Sequence, residues 1–483
     1  MPSYIKYVQA KGIYGRFDIE HTFEPGVNVL HGKNGAGKTT LLHILANILN
    51  GDYELFAFIT FDSIQVRLDD STEVVLYRRG TKKDANIHIQ RTNYPEVTFS
   101  VALLEEYILQ RRESVRIKQL SIFDDIEELS KIGPLMQTAY FPAFRTMIEA
   151  WASMQEDRPL SSTARRTREL IEEEAYRIGR NSLVHGVPPR ATQFARQLFG
   201  PFVPSITYPS PLEIEVRLTE EFRKAERNIG YTNQELLSQA FLDIFSTLSE
   251  ASNQVEENPE AILEQIRALF SKLDTSSFGA ESMIDEDFYT KLRINVENFR
   301  FYESKNLEGV AVRILEVYRK SLIKRADIQE VSFLGIKQYL QAVNEFLESK
   351  SLYIRQQSPE LHKSSLQVKF DDGSYSGLRA LSSGERQIIT MIYAASQMSE
   401  QKIVLIDEPE ISLHIDWQRL LLKKMSEQLQ DRQIIVCTHS PVIGANYEDR
   451  LMELRLIPIS REFQEASSNR DYPEADNEDE VLF

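Results

Sequence analysis

Nine residues near the N-terminus constrain this chain more than any other stretch. Gly32-Lys33-Asn34-Gly35-Ala36-Gly37-Lys38-Thr39, followed by Thr40, satisfies the spacing Gly-x-x-x-x-Gly-Lys-[Ser/Thr]. The apolar run Val27-Asn28-Val29-Leu30 precedes it. Leu41, Leu42, Ile44, Leu45, Ile48 and Leu49 follow at the helical period and stop at Asn50-Gly51. Strand, glycine loop and helix in that order make an anion site: glycines let the backbone aim its amides at phosphate oxygens, and the helix N-terminus adds a favourable dipole. Lys38 is then placed to neutralise β and γ oxygens, and the Thr39 hydroxyl to ligate Mg²⁺. A chance match in a chain this long is expected roughly 0.02 times, so the loop is read as a nucleoside triphosphate site.

A second element is expected beside it. Ile403-Val404-Leu405-Ile406 and Ile434-Ile435-Val436 are continuous apolar runs, typical of parallel strands buried on both faces, and an amphipathic helix with Trp417, Leu421 and Met425 lies between them. The first run ends in Asp407-Glu408-Pro409, two carboxylates at the C-terminal edge of a buried strand, where ligands of open α/β sheets collect. Asp407 is expected to hold Mg²⁺ through its water shell and Glu408 to orient and deprotonate an attacking water. Acidic residues at such an end can also serve only as a helix cap.

Leu381-Ser382-Ser383-Gly384-Glu385-Arg386-Gln387 opens another helix, expected over residues 388–395. Either Ser383 and Gly384 merely cap it, or it is a second anion site. On the second reading one chain has two phosphate-binding helix starts for one triphosphate. The economical resolution is that the second start serves a nucleotide held by another copy.

On these residues the chain resembles ABC-type ATPases of the SMC-like class. The resemblance implies an α/β fold: an ABC-type P-loop ATPase head with a mixed sheet, flanking helices and an antiparallel subdomain, carrying a large helical insertion. It implies ATP and Mg²⁺ as ligands and an ATP-sandwich dimer in which Ser382 and Gly384 close on the opposite copy's γ-phosphate. Ser383 and Glu385 stand where glycine and glutamine are usual. His439, in Cys437-Thr438-His439-Ser440-Pro441, matches the switch histidine, and Ser412-Leu413-His414 resembles the loop that communicates across the dimer. Gln137 is the candidate for the glutamine that follows the first subdomain. Tyr140-Phe141-Pro142-Ala143-Phe144-Arg145 and the stretch Asp407 to His414 are similar to ATPases of the overcoming-lysogenisation-defect type, many of which belong to antiphage defence systems. The resemblance covers residues 1–150 and 335–457.

At 483 residues the chain exceeds one compact core. Residues 1–150 are read as the N-terminal part of the ATPase domain, 151–335 as a helical insertion, 336–460 as the C-terminal part, and 461–483 as an acidic tail too poor in apolar residues to fold alone. Residues 64–68, 74–77 and 87–89 read as an antiparallel meander, and strands are expected to return at Leu366. Pro159, Pro188, Pro189, Pro201, Pro204, Pro209, Pro211 and Pro259 are expected to cut the insertion's helices short, giving a compact lobe rather than a rod.

The single cysteine, Cys437, excludes an internal disulfide and fits a reducing compartment, so a cytoplasmic location is expected, without a signal peptide or membrane span. A net charge of -16 opposes nucleic-acid binding unless a local basic face exists. Arg111, Arg112, Arg116 and Lys118, or Arg165, Arg166, Arg168, Arg177 and Arg180, could form one. Glu169 and Glu172 to Glu174 interrupt the second, and a solvated helix surface is the preferred reading of both.

From Lys38 to Ser382 is 344 positions, more than a transporter places between these motifs. Soluble relatives use that gap for a lobe that grips DNA, a nuclease or another subunit. Only 44 residues follow His439, and the other histidines show no metal-ligand spacing, so no nuclease centre is expected in this chain. The expectation is an ATPase and sensor subunit that holds a separate effector nuclease or toxin, as similar ATPases do in PARIS and Septu systems. The alternatives are a DNA-repair clamp resembling RecF and a non-hydrolysing ATP-dependent scaffold, in which Glu408 would have little purpose.

Overall fold

A computed structural model describes residues 4–80, 84–105, 132–148, 190–249, 259–275, 294, 308–358, 363–429 and 431–458. The strands are β1 (Ile5–Ile13), β2 (Phe17–Thr22), β3 (Val27–His31), β4 (Ser63–Leu68), β5 (Glu73–Arg79), β6 (Asn86–Arg91), β7 (Val97–Ser100), β8 (Thr138–Phe141), β9 (Lys350–Ser358), β10 (Lys363–Phe370), β11 (Tyr375–Ser376), β12 (Ile403–Asp407), β13 (Gln433–Thr438), β14 (Leu451–Glu453) and β15 (Ile457–Pro458). The helices are α1 (Lys38–Asn50), α2 (Arg190–Phe199), α3 (Pro211–Ser249), α4 (Pro259–Thr275), α5 (Glu308–Asn344), α6 (Ser383–Ala395) and α7 (Ile415–Gln428). They divide into two compact units, one of Met1–Thr207, Gln401–Ile411 and Asp431–Phe483, the other of Tyr208–Glu400 and Ser412–Gln430.

The first unit is mixed α/β. Its parallel sheet has the order β14-β3-β13-β12-β8, with Val29 opposite Val436, Ile435 opposite Leu405, and Leu405 opposite Tyr140. Every residue of β8, β12 and β13 is buried, which is why these runs are continuously apolar rather than alternating. The antiparallel sheet runs β15-β2-β1-β4-β5-β6-β7. Its one buried face follows the period of two, with Val66 opposite Val74 and Leu76 opposite Ile89, and the expected meander is present.

Helix α1 is apolar almost all round, and its Leu41, Leu45 and Leu49 join Val8, Ile64 and Ile87 of one sheet and Leu405 and Ile435 of the other in a single core. Each such side chain contributes about 1.5–3 kcal/mol through burial. The buried Gln433 amide stitches β13 to β1, accepting from the Ile5 N–H at 3.0 Å and donating to the Ile5 carbonyl at 3.0 Å. Strand β3 and the start of α1 are thereby held from both sides.

In the second unit α3 packs on α5, with Phe222 and Phe333 ring centroids 5.2 Å apart. Ile262, Ile266 and Phe270 of α4 share a core with Val312 and Leu322 of α5. The expected short helices are overturned here: α3 has 39 residues and α5 has 37. Pro211 and Pro259 are the first residues of α3 and α4, where a missing N–H costs nothing, and the Ser210 hydroxyl caps α3 by accepting from the Glu213 N–H at 3.2 Å. Strands return at Lys350, earlier than expected, in the antiparallel sheet β11-β10-β9. The candidate basic faces (Arg111 to Lys118 and Arg165 to Arg180) and the acidic tail lie outside the described residues. Among the described residues no helix is long and apolar enough to cross a membrane.

Candidate functional site

The loop from Gly32 to Gly37 joins β3 to α1 in the first unit. Gly35 and Gly37 have φ of 81° and 78°, the left-handed region in which a side chain is strained, and the Ala36 N–H closes the turn on the Lys33 carbonyl at 3.0 Å. Lys33, Asn34 and Gly35 are exposed, and a Cβ added at Gly35 would meet nothing within 4 Å. No side chain caps α1 and its first turn carries no acidic residue. The first amides of that turn therefore have no internal side-chain acceptor, which is the condition for an anion to bind. Thr40 lies in the same turn and is half-buried.

Lys38 is buried, and its Nζ donates to the Gly32 carbonyl at 2.9 Å and to His439 Nε2 at 2.7 Å. Burial and the neighbouring Lys38 charge hold His439 below the usual histidine range, which favours the neutral ring that can accept this bond. The Thr39 hydroxyl donates to Asp407 Oδ2 at 2.8 Å. Asp407 is 1% exposed, and its Oδ1 is buried with no hydrogen-bond partner. Burial raises its pKa, opposed by the Thr39 bond and by Lys38 and Arg145. A hydroxyl beside a buried carboxylate with an orphan oxygen, at the mouth of a phosphate loop, is a donor set that suits Mg²⁺.

Glu408 follows directly, with φ of 48°, a strained conformation for a residue with a side chain. Its Oε1 lies 3.2 Å from His439 Nε2, and its Oε2 accepts from the His439 N–H at 3.3 Å. Burial, then the neighbouring Glu410 and Asp407, push its carboxyl up to about 8, within the range of a general base at working pH.

Two residues without an assigned role in the sequence complete the arrangement. Arg145 is 1% exposed, and its guanidinium donates to the carbonyls of Asp407, Glu408 and Pro409, each at 3.0 Å, and to Ile411 at 3.4 Å. Glu410 Oε1 accepts from the Thr438 hydroxyl at 2.7 Å and from the His439 and Ser440 N–H groups at 3.0 and 2.9 Å.

Ser382, Ser383, Gly384 and Glu385 belong to the second unit, at the start of α6. Ser382 Oγ accepts from the Glu385 N–H at 3.3 Å while Glu385 Oε2 accepts from the Ser382 N–H at 2.7 Å, a reciprocal capping box. The Lys350 ammonium donates to Glu385 at 3.0 Å. Ser382 and Ser383 are exposed. Gly384 is buried, and a Cβ there would come within 2.6 Å of the Ser412 carbonyl.

Two family models match this chain. One, described as "AAA domain, putative AbiEii toxin, Type IV TA system", matches residues 214–445, and the other, "AAA domain", matches residues 8–175. Both are AAA domains. The second takes in the loop at Lys38 and the first takes in Ser382, Asp407, Glu408 and His439. No curated protein matches the chain. Among solved structures, the chain is similar at 13% identity to an Smc head domain with an extended coiled coil bound to the C-terminal domain of ScpA, from Pyrococcus furiosus, over 96% of this chain and 98% of that one, with a TM-score of 0.35. An SmcHead bound to the C-winged helix domain of ScpA gives 12%, 95%, 99% and 0.37. An Smc head domain with a coiled coil and joint from Pyrococcus yayanosii gives 14%, 96%, 100% and 0.32. The mixed α/β fold around a glycine-loop helix agrees with the two AAA-domain matches, which support nucleotide binding and an ATPase in general terms.

The first unit thus brings Gly32, Lys38, Thr39, Asp407, Glu408 and His439 together. His414, in the Ser412 to His414 segment, instead caps α7 in the second unit, its Nδ1 accepting from the Asp416 N–H at 3.5 Å. Gln137 accepts through its backbone carbonyl from the Lys402 N–H at 2.9 Å. Arg145 carried no chemical signal because its partners are backbone carbonyls; Glu410 carried only its place two residues after Glu408.

Proposed function

We propose that this chain binds and hydrolyses ATP, associating with a second copy as it does so, and that this cycle controls a separate effector nuclease in antiphage defence. One observation carries the ATPase reading: Lys38, the Thr39–Asp407 pair, and Glu408 with His439 converge from segments up to 401 positions apart. In this reading the 32–40 loop wraps the phosphates with its amides, and Lys38 leaves the Gly32 carbonyl for the β and γ oxygens. Thr39 and Asp407 would hold Mg²⁺, which would neutralise phosphate charge. Glu408 takes the proton of the attacking water as its oxygen joins the γ-phosphorus, and ADP leaves. His439, held beside Lys38 and Glu408, would contact the γ-phosphate.

The second copy enters through α6. Its exposed Ser382 and Ser383 hydroxyls, with Gly384 and Glu385 shaping the turn, face the γ-phosphate of the partner's nucleotide in this proposal, so hydrolysis removes the contact that favours closure. The defence role is supported by the likeness of residues 140–145 and 407–414 to defence ATPases, and by the toxin–antitoxin description of one matched family. Nucleic acid as a further partner would need the basic residues named above.

The test is phosphate release by the wild type and Glu408→Gln, with light scattering in ATP. The reading expects release only by the wild type, and an ATP-dependent dimer that persists in the variant. No release by either protein would leave the non-hydrolysing scaffold as the correct reading, and equal release by both would remove Glu408 from the reaction. Co-purification from the native operon tests the effector: a protein that always purifies alone contradicts the subunit role.

A further inference from the structure

Glu410 touches none of the loop residues from Gly32 to Thr39, yet its carboxylate is half-buried at the edge of the site. Strand β13 ends at Thr438, whose last partner is His31 of β3. Beyond that point the N–H groups of His439 and Ser440 have no strand partner and take side-chain acceptors instead. Glu410 Oε1 accepts from both and from the Thr438 hydroxyl, sharing the His439 N–H with Glu408 Oε2 at 3.3 Å and the Ser440 N–H with the Thr438 hydroxyl oxygen at 2.9 Å. A carboxylate that accepts three donors fixes the path of three consecutive residues.

Glu410 itself stands on a segment with little freedom. Arg145 binds the carbonyls of residues 407, 408 and 409 before Glu410 and of 411 after it, and the Glu408 N–H is tied to the Cys437 carbonyl at 2.8 Å. The segment that bears Glu408 and the segment that bears His439 are therefore joined through the backbone at Cys437, through the Glu408 carboxylate at His439, and through Glu410, which reaches residues 438, 439 and 440. We propose that Glu410 is a positioning residue, whose carboxylate sets the backbone of residues 438–440 and so places the His439 ring against Lys38 and Glu408. The consequence for turnover rests on the ATPase reading above; the placement itself does not.

Two measurements on the full chain separate these. Amide hydrogen exchange in the nucleotide-free protein is expected to be at least about tenfold faster at His439 and Ser440 in Glu410→Ala than in the wild type, a loss of about one strong hydrogen bond, with α1 unchanged. Glu410→Gln keeps one acceptor oxygen and should restore most of the protection. Steady-state kinetics should then show kcat reduced about tenfold or more in Glu410→Ala, as misplacement of a reacting group does, with the Kd for ATP within about twofold and Glu410→Gln recovering most of the rate. Wild-type exchange at His439 and Ser440 in Glu410→Ala overturns the proposal. So does a Glu410→Gln variant as unprotected as Glu410→Ala, which also decides the matter should the alanine variant fail to fold. A wild type that releases no phosphate overturns the ATPase reading instead, and the exchange data still judge the placement.

Discussion

Two helices in this chain begin at glycine-bearing loops, and they are finished differently. Helix α1 starts at Gly37 without a side-chain cap and without an acidic residue in its first turn. Helix α6 starts at Ser382 with a reciprocal capping box, and its Glu385 carboxylate is bound by Lys350. A helix N-terminus carries unpaired amides and partial positive charge. At α6 the chain's own side chains answer both. At α1 they answer neither, and the nearest ammonium, Lys38, is left on a carbonyl and an imidazole. The lesson is that α1 leaves its first amides without a side-chain acceptor or counter-charge, whereas α6 supplies both from its own side chains.

The sharpest way to break that comparison is Lys38→Ala. The open end then keeps its amides but loses its cation, and ATP affinity measured by calorimetry should fall about 100-fold or more, as loss of a charge-assisted contact implies. Binding within threefold of the wild type would mean that the bare helix end suffices. Next in size is Arg145→Ala. It strips the acceptor carbonyls of residues 407–411 of a buried charged donor and should cost about 3 kcal/mol in urea denaturation; a loss under about 1 kcal/mol would show that the segment beside the open end holds its own shape.

Ser382→Ala tests the self-capped end and should cost about 1 kcal/mol in urea denaturation, the usual worth of an N-cap, and should weaken the ATP-dependent dimer seen by light scattering; an unchanged dimer would place Ser382 away from the nucleotide. The smallest effect is a pH dependence. Glu408 is pushed up to about 8 from 4.5, so the fold holds a proton that the unfolded chain releases between those values. Stability from this group is present below about pH 4.5 and is lost as pH rises through about 8. Glu408→Gln removes that loss, so its nucleotide-free thermal midpoint should gain on the wild type between pH 5 and pH 8.5. After allowance for screening of a partly exposed group the gain is about 1 kcal/mol. A constant difference between the two proteins across that range contradicts the assignment.

What the sequence made legible were features written in contiguous residues. The loop at Lys38, the apolar strands ending at Asp407 and Thr438, and the meander all combine a local pattern with a fixed backbone geometry. Arg145 was not legible, because its partners are carbonyls 262 to 266 positions away, which have no residue-type signature. The length of α3 was not legible because Pro211 reads as a helix breaker, whereas in the first turn it is a start signal; α5 contains no proline. Strand β9 was missed at Lys350 because its polar residues mask the alternation that buries Leu352 and Ile354.

The most direct test is a crystal structure of Glu408→Gln with ATP and Mg²⁺. The account predicts the triphosphate in the 32–40 loop, with Lys38 moved from the Gly32 carbonyl to the β and γ oxygens, Mg²⁺ at Thr39 and Asp407, and Ser382 of a second copy at the γ-phosphate. A nucleotide bound elsewhere, with Lys38 still on Gly32 and His439, or a γ-phosphate that no second copy can reach, would contradict it.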